Sequence, residues 1–162
     1  MFNRRRLLIA LAAAVVPGVP YASNPSAAAV VKPRLVIVVD KVSQKMTVTL
    51  DGEKLYQWAV STGAPDYDTP SGTYEPLSME KEHFSKEWDD APMPYSIFFT
   101  GWGHALHGSY HIKSLGRRVS HGCVRIHPDN AAKLFALVTE TGMSNTQIVI
   151  TPKQRSLREL FN

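Results

Sequence analysis

The chain has 162 residues, 18 of them basic and 14 acidic, with 44% apolar residues and a single cysteine. That length and apolar fraction suit one domain with a real core, and one cysteine excludes an internal disulfide. No zinc-ligand pattern, phosphate-cradling glycine loop or internal repeat is present.

At the amino terminus, Arg4-Arg5-Arg6 precedes the uncharged run Leu7 to Val16, which Pro17 and Gly18 close. A basic head, a short apolar run and small residues beyond it form the pattern of a secretory signal peptide. The run's ten residues are about half of the roughly 20 needed to span a bilayer, and no later segment comes close. Residues 1–29 are therefore expected to be a leader, cut after Ala22 or Ala29, that sends the protein across the inner membrane to the periplasm or cell envelope. Arg4-Arg5 followed by Leu7-Leu8 also admits the twin-arginine route. Without the leader, 15 basic residues face 14 acidic ones, a net charge of +1. A nucleic-acid partner, which calls for a basic face, is not expected. The mature protein is expected to be a monomer with no integral membrane segment.

Arg34 to Asp40 is a β-branched run and reads as a buried strand. Gln44 to Leu50 alternates, with Met46, Val48 and Leu50 on one face; Asp51-Gly52 marks a two-residue hairpin turn and Lys54 to Val60 the returning strand. Ser61 to Pro76 is rich in Gly and Pro and holds a brief strand at most. Residues 75 to 94 carry Glu75, Glu80, Glu82, Glu87, Asp89 and Asp90 with few aliphatics, and read as a solvated loop whose position also permits a lid. Ser96 to Thr100, Ala105 to His107 and Val124 to Ile126 are short strands. A helix follows, with Pro128 in its first turn, Ala131, Leu134, Phe135 and Val138 on one face, and Gly142 as its stop. Gln147 to Thr151 is a last strand, and Arg155 to Phe161 reads as a short amphipathic helix in a tail over 153–162. The fold class is mainly β with one principal α-helix, in a single domain over 30–152.

The cysteine lies in Ser120-His121-Gly122-Cys123, and His107-Gly108 stands sixteen positions before it. A lone thiol is often an inert small hydrophobe. Flanking glycine and histidines favour a nucleophile instead, because an imidazole can take the thiol's proton. His107 is placed to come from the adjacent strand of a hairpin-like excursion, Ser109 to Val119, which carries Lys113, Arg117 and Arg118. Gly122 suits a backbone bend, and its amide and that of Cys123 are candidates for an oxyanion hole.

The runs His107-Gly108-Ser109-Tyr110 and Ser120-His121-Gly122-Cys123-Val124-Arg125 resemble the signature of the L,D-transpeptidase (YkuD-type) family. Val60-Ser61-Thr62-Gly63 and Thr69-Pro70-Ser71-Gly72-Thr73-Tyr74 resemble further stretches of that family, and the resemblance covers roughly Leu35 to Ile150. It implies a YkuD-type mixed β-sandwich and a peptidoglycan acyltransferase whose cysteine attacks the bond between diaminopimelate and D-alanine in a tetrapeptide stem. By the same resemblance Cys123 is the nucleophile, His107 the general base and the Gly108 carbonyl its orienting partner. Ser120 and His121 shape the pocket, and Arg125 binds a substrate carboxylate. The acyl acceptor stays open: a second stem's amine, a lysine of an acceptor protein, a free D-amino acid, or water, the last giving a carboxypeptidase. A carbapenem is the expected covalent inhibitor.

Other readings compete. His121 is a second candidate base. Trp58 and Trp88 read as core or loop anchors, while Trp102, between two glycines, reads equally as a loop anchor or as a substrate-binding carbohydrate platform. His104, His107, His111, His121 and Cys123 are donors that zinc accepts, but no helical zinc-protease motif joins them, so neither metal nor cofactor is expected. A papain-like hydrolase has its cysteine before its histidine, the reverse of the order here. A non-catalytic wall-binding module would have no need of the Cys-His pair.

Overall fold

Leu35, Ile37 and Val39 are fully buried along β1 (Leu35–Asp40) and alternate with partly exposed neighbours. Branched side chains on one face of a pleat pack well, which makes this run a strand with one face turned to the core. β2 (Lys45–Leu50) repeats the pattern with Met46 and Val48 inward, and the chain returns in β3 (Glu53–Ala59). Asp51 and Gly52 both have positive φ, 50° and 91°, as the two-residue hairpin turn requires. In this computed structural model the described residues are 33–152, which fall in one compact unit. The leader and the tail helix expected from the sequence lie outside them.

Beyond β4 (Gly72–Tyr74), the stretch read as a solvated loop departs from expectation. It holds β5 (Ser78–Glu80), β6 (Phe84–Ser85) and β7 (Ala91–Pro92). Met79 of β5 pairs with Ile97 of β8 (Ser96–Phe98), while β6 and β7 form a small ribbon of their own. The ladder bonds come from backbone groups, and strands of two or three residues are too short to show an alternating apolar pattern.

β9 (Ala105–Gly108) and β10 (Val124–Ile126) precede α1 (Pro128–Thr141) and β11 (Thr146–Ile150). α1 ends where expected. His127 Nδ1 accepts the Asp129 N–H at its start, and Gly142, at φ 89°, stops it while its N–H reaches the Val138 carbonyl. Ala131, Leu134 and Val138 are buried, and the helix packs on β9 and β8.

The larger sheet runs β3-β2-β1-β11-β4 and the smaller β10-β9-β8-β5. Their inner faces and α1 share one core, with Ile37, Val48 and Ile148 from the first sheet, Ile97, Leu106 and Val124 from the second, and Leu134 from the helix. The protein is a mainly β domain with one α-helix among the described residues. No helix there is long and apolar enough to cross a membrane. β10 pairs with β9 in parallel, with Arg125 opposite His107, so the connection between them is a crossover and the hairpin-like excursion is corrected.

Leu134 is fully buried in this core. Leu134→Ala should destabilise the protein by about 2–5 kcal/mol in urea unfolding followed by far-ultraviolet circular dichroism, through lost burial and the cavity left behind.

Candidate active site

Parallel pairing decides where the site residues point. Side chains alternate along a strand, so Val124 and Ile126 enter the core while Cys123 and Arg125 share the opposite face with His107. That face is the wall of a cavity of about 130 Å³, lined by His107, Ser120, His121, Cys123 and Arg125 together with Tyr110 and His111 of the crossover.

His107 is 6% exposed, and its Nδ1 lies 2.7 Å from the Gly108 carbonyl oxygen. A carbonyl only accepts, so Nδ1 carries the proton and Nε2 keeps its lone pair. Burial pushes the imidazole's pKa down from 6.5 to about 4; the Gly108 carbonyl opposes this, and the charges of Arg125 and His83 add to it. His107 is therefore neutral at physiological pH and competent as a base. Cys123 keeps some exposure, and its thiol points to the Gly103 carbonyl at 3.8 Å. Burial raises the thiol's pKa, while the Ala105 amide and the Arg125 charge pull it down less strongly. The resting pair is thus a thiol and a neutral imidazole, with no thiolate formed in advance.

The loop carrying Cys123 is fastened from several sides. Ser120 is fully buried; its hydroxyl donates to the Cys123 carbonyl and accepts the Gly122 N–H at 3.2 Å. The Gly122 N–H is thereby bonded within the loop, beside the Cys123 amide. Gly122 has φ 113°, and a Cβ there would stand 3.1 Å from the His104 ring, so a side chain would be strained as well as crowded. His104 is itself held by Thr100, whose hydroxyl lies 2.8 Å from Nδ1.

Residues 61–69 clamp the outer edge of β10. Ser61 and Arg125 exchange backbone bonds at 2.9 and 2.8 Å, the Ser120 N–H reaches the Thr62 carbonyl, and Ala64 donates to Ser120. This segment is anchored by Lys41, whose buried ammonium donates to Asp68 Oδ2 and to the Thr69 carbonyl, each at 2.7 Å. Arg118 reaches the other oxygen of Asp68 at 2.9 Å. Gln44 Nε2 donates to Thr62 Oγ1 and its Oε1 accepts the Thr62 N–H, while Thr69 Oγ1 accepts the Gly63 N–H.

His121 is engaged by aromatic neighbours. Its ring stacks on Trp88 at 3.7 Å with an interplanar angle of 5°, and Tyr67 stands edge-on to both. Trp88 joins Ser85, Ala91, Pro92 and Met93 as cavity wall, so the 75–94 stretch forms one side of the site. Tyr67 and Trp88 were not singled out as site residues from the sequence, and His104 was weighed there only as a zinc donor. Their roles depend on stacking and buttressing between distant segments, which leave no local signal. Arg125 is half-buried, and no carboxylate among the described residues pairs with it. Trp102 is 85% exposed and stands outside the cavity lining. No group of three or more His, Cys, Asp or Glu side chains among the described residues converges as metal ligands would.

The family model of the L,D-transpeptidase catalytic domain, YkuD, matches residues 34–150. The Bacillus subtilis (strain 168) protein YqjB is 26% identical over 136 residues, which cover 76% of this chain and 75% of that one. Among solved structures, an L,D-transpeptidase from Mycobacterium smegmatis superposes with a TM-score of 0.67 at 26% identity. LdtMt1 in complex with imipenem gives 0.65, also at 26% identity. In both structural matches 74% of this chain is covered, and it spans 59% of the other.

Because the thiol is protonated at rest, iodoacetamide alkylation of Cys123 should rise with pH to beyond 9.0, the ordinary thiol value. A plateau at neutral pH would instead reveal a resting thiolate. His107 also couples folding to pH. Its folded pKa lies below its unfolded one, so the unfolded chain takes up the proton first; the stabilisation is complete above pH 6.5 and is lost as pH falls toward about 4. Urea unfolding across that window should show a loss on the order of 3 kcal/mol that His107→Gln removes.

Proposed function

The chain belongs to the L,D-transpeptidase catalytic-domain (YkuD) family, and from that premise we propose that it is a peptidoglycan acyltransferase working through a Cys123 acyl-enzyme. The observation that carries this reading is the placement of Cys123, Arg125 and His107 on one face of two adjacent strands. His107 Nδ1 is occupied by the Gly108 carbonyl, so Nε2 is the nitrogen available as base.

The substrate is a tetrapeptide stem, attacked at the carbonyl joining its third residue to the terminal D-alanine. As sulfur bonds to that carbon, the thiol proton passes to His107 Nε2 and the carbonyl oxygen takes the electron pair, facing the Cys123 amide. Collapse of the tetrahedral species breaks the C–N bond, and His107 returns its proton to the departing amine of D-alanine. An acceptor amine then attacks the thioester and gives its proton to His107, which passes it to the leaving sulfur. Burial suits His107 to this relay, because an imidazole with a depressed pKa releases its proton readily. Arg125, half-buried and with no carboxylate partner among the described residues, receives a carboxylate of the substrate. His121 shapes the pocket through its stack on Trp88. The leader-like amino terminus supports an activity in the periplasm or cell envelope, where stem peptides are found.

A carbapenem tests the acyl-enzyme directly, since its strained carbonyl offers the same electrophile without an acceptor. Intact-protein mass spectrometry should show one adduct per chain on Cys123 and none on Cys123→Ala. His107→Ala should slow adduct formation by about 10²- to 10⁴-fold. Arg125→Ala should slow it by a factor matching about 1.5–3 kcal/mol, the worth of a charge-assisted hydrogen bond. An adduct that persists in Cys123→Ala, or an unaltered rate in folded His107→Ala, would overturn the assignment.

A further inference from the structure

Trp102 sits at the tip of the turn between β8 and β9 and is 85% exposed. Isolated apolar side chains on a surface need no explanation in general, but tryptophan is highly buried on average, and an indole this bare is unusual. The turn holds it outward. Gly103 has φ 87° and its N–H bonds back to the Thr100 carbonyl, while a Cβ built on either Gly101 or Gly103 would meet nothing within 4 Å. No ring stacking with a neighbour engages Trp102 among the described residues.

The same turn touches the nucleophile. The Gly103 carbonyl oxygen, one residue from Trp102, lies 3.8 Å from Cys123 Sγ. Adding the carbonyl-to-Cα path and one Cα–Cα step places the Trp102 Cα within about 10 Å of the sulfur. In the acyl transfer proposed above, three residues of stem separate the attacked carbonyl from the sugar that carries the stem. Extended chain covers at most about 3.3–3.6 Å per residue, so the three residues carry the stem up to about 10–11 Å from the attacked carbonyl towards that sugar. The turn that carries the indole therefore stands within the reach of the sugar end of a bound stem.

We propose that Trp102 is the glycan-contacting element of the site, its indole face receiving the apolar C–H face of the sugar to which the donor stem is attached. The inference rests on the peptidoglycan reading and specifies which part of the donor this residue recognises. A pyranose presents C–H groups on one face and hydroxyls at its rim. A flat, electron-rich ring buries the former while leaving the latter in water. Such a contact distinguishes a stem still attached to glycan from a free peptide.

The test compares two donors under one acceptor: a disaccharide-tetrapeptide and the free tetrapeptide of the same sequence. The wild-type protein should favour the sugar-bearing donor in kcat/KM by about ten-fold, mainly through KM, and Trp102→Ala should bring that ratio close to one. Trp102→Tyr should restore part of it, since a second aromatic face remains. The carbapenem adduct rate of Trp102→Ala, read alongside, reports an intact thiol on a donor without sugar. A ratio near one in the wild type, or a ratio that Trp102→Ala leaves unchanged, overturns the proposal while the acyltransferase reading stands. No turnover of either donor overturns both. An equal loss on both donors shows that the turn acts on the nucleophile instead, and also overturns it.

Discussion

Parallel pairing of β9 with β10 is the constraint on which the site depends. With Arg125 opposite His107, two-residue alternation sends Val124 and Ile126 into the core and turns Cys123 and Arg125 to the other face. A slip of one residue would bury the thiol in the core and expose the valine beside it. The register is fixed on both flanks, by β8 beside β9 and by Ser61 beside Arg125. Since Val124, Ile126 and Leu106 are essentially free of solvent, the same burial that stabilises the core also aims the nucleophile.

Burial further sets the proton inventory. An imidazole and a thiol placed together in water would share a proton readily, but desolvation here disfavours both charged forms, lowering one pKa and raising the other. The site therefore stores no charge separation at rest and creates it when the substrate carbonyl arrives. Arg125 is the exception. Burial lowers its pKa as well, but a guanidinium remains protonated throughout the physiological range, so this cation stands ready for an anionic ligand.

The supporting framework is polar where it meets the catalytic loop. Lys41 is buried, and its ammonium would be costly there without Asp68 and the Thr69 carbonyl. That pair, with Gln44 on Thr62, fixes residues 61–69, which in turn bond to Ser120 and Arg125. A directional network of this kind specifies one position, whereas an apolar contact of equal area tolerates sliding. On the opposite side the loop meets the Trp88 stack, whose geometry couples His121 to the ribbon of β6 and β7.

Much of the fold was legible in the sequence because its signals are local. The alternation in β1 and β2, the Asp51-Gly52 turn and the Pro128-to-Gly142 helix each follow from residues within one element, and their bounds agree with expectation to about a residue. Cys123 and His107 could be singled out because the lone thiol and its motif are contiguous, and the family followed from them. The sequence alone did not show that β9 and β10 run parallel, that Ser120 takes the Gly122 amide, or that the acidic 75–94 stretch supplies a cavity wall. Nor did it show that the His121 ring lies against Trp88. These features arise from backbone ladders and aromatic faces brought together across many residues. Strand direction and ring stacking are fixed by the packed core, and no short window of sequence encodes them.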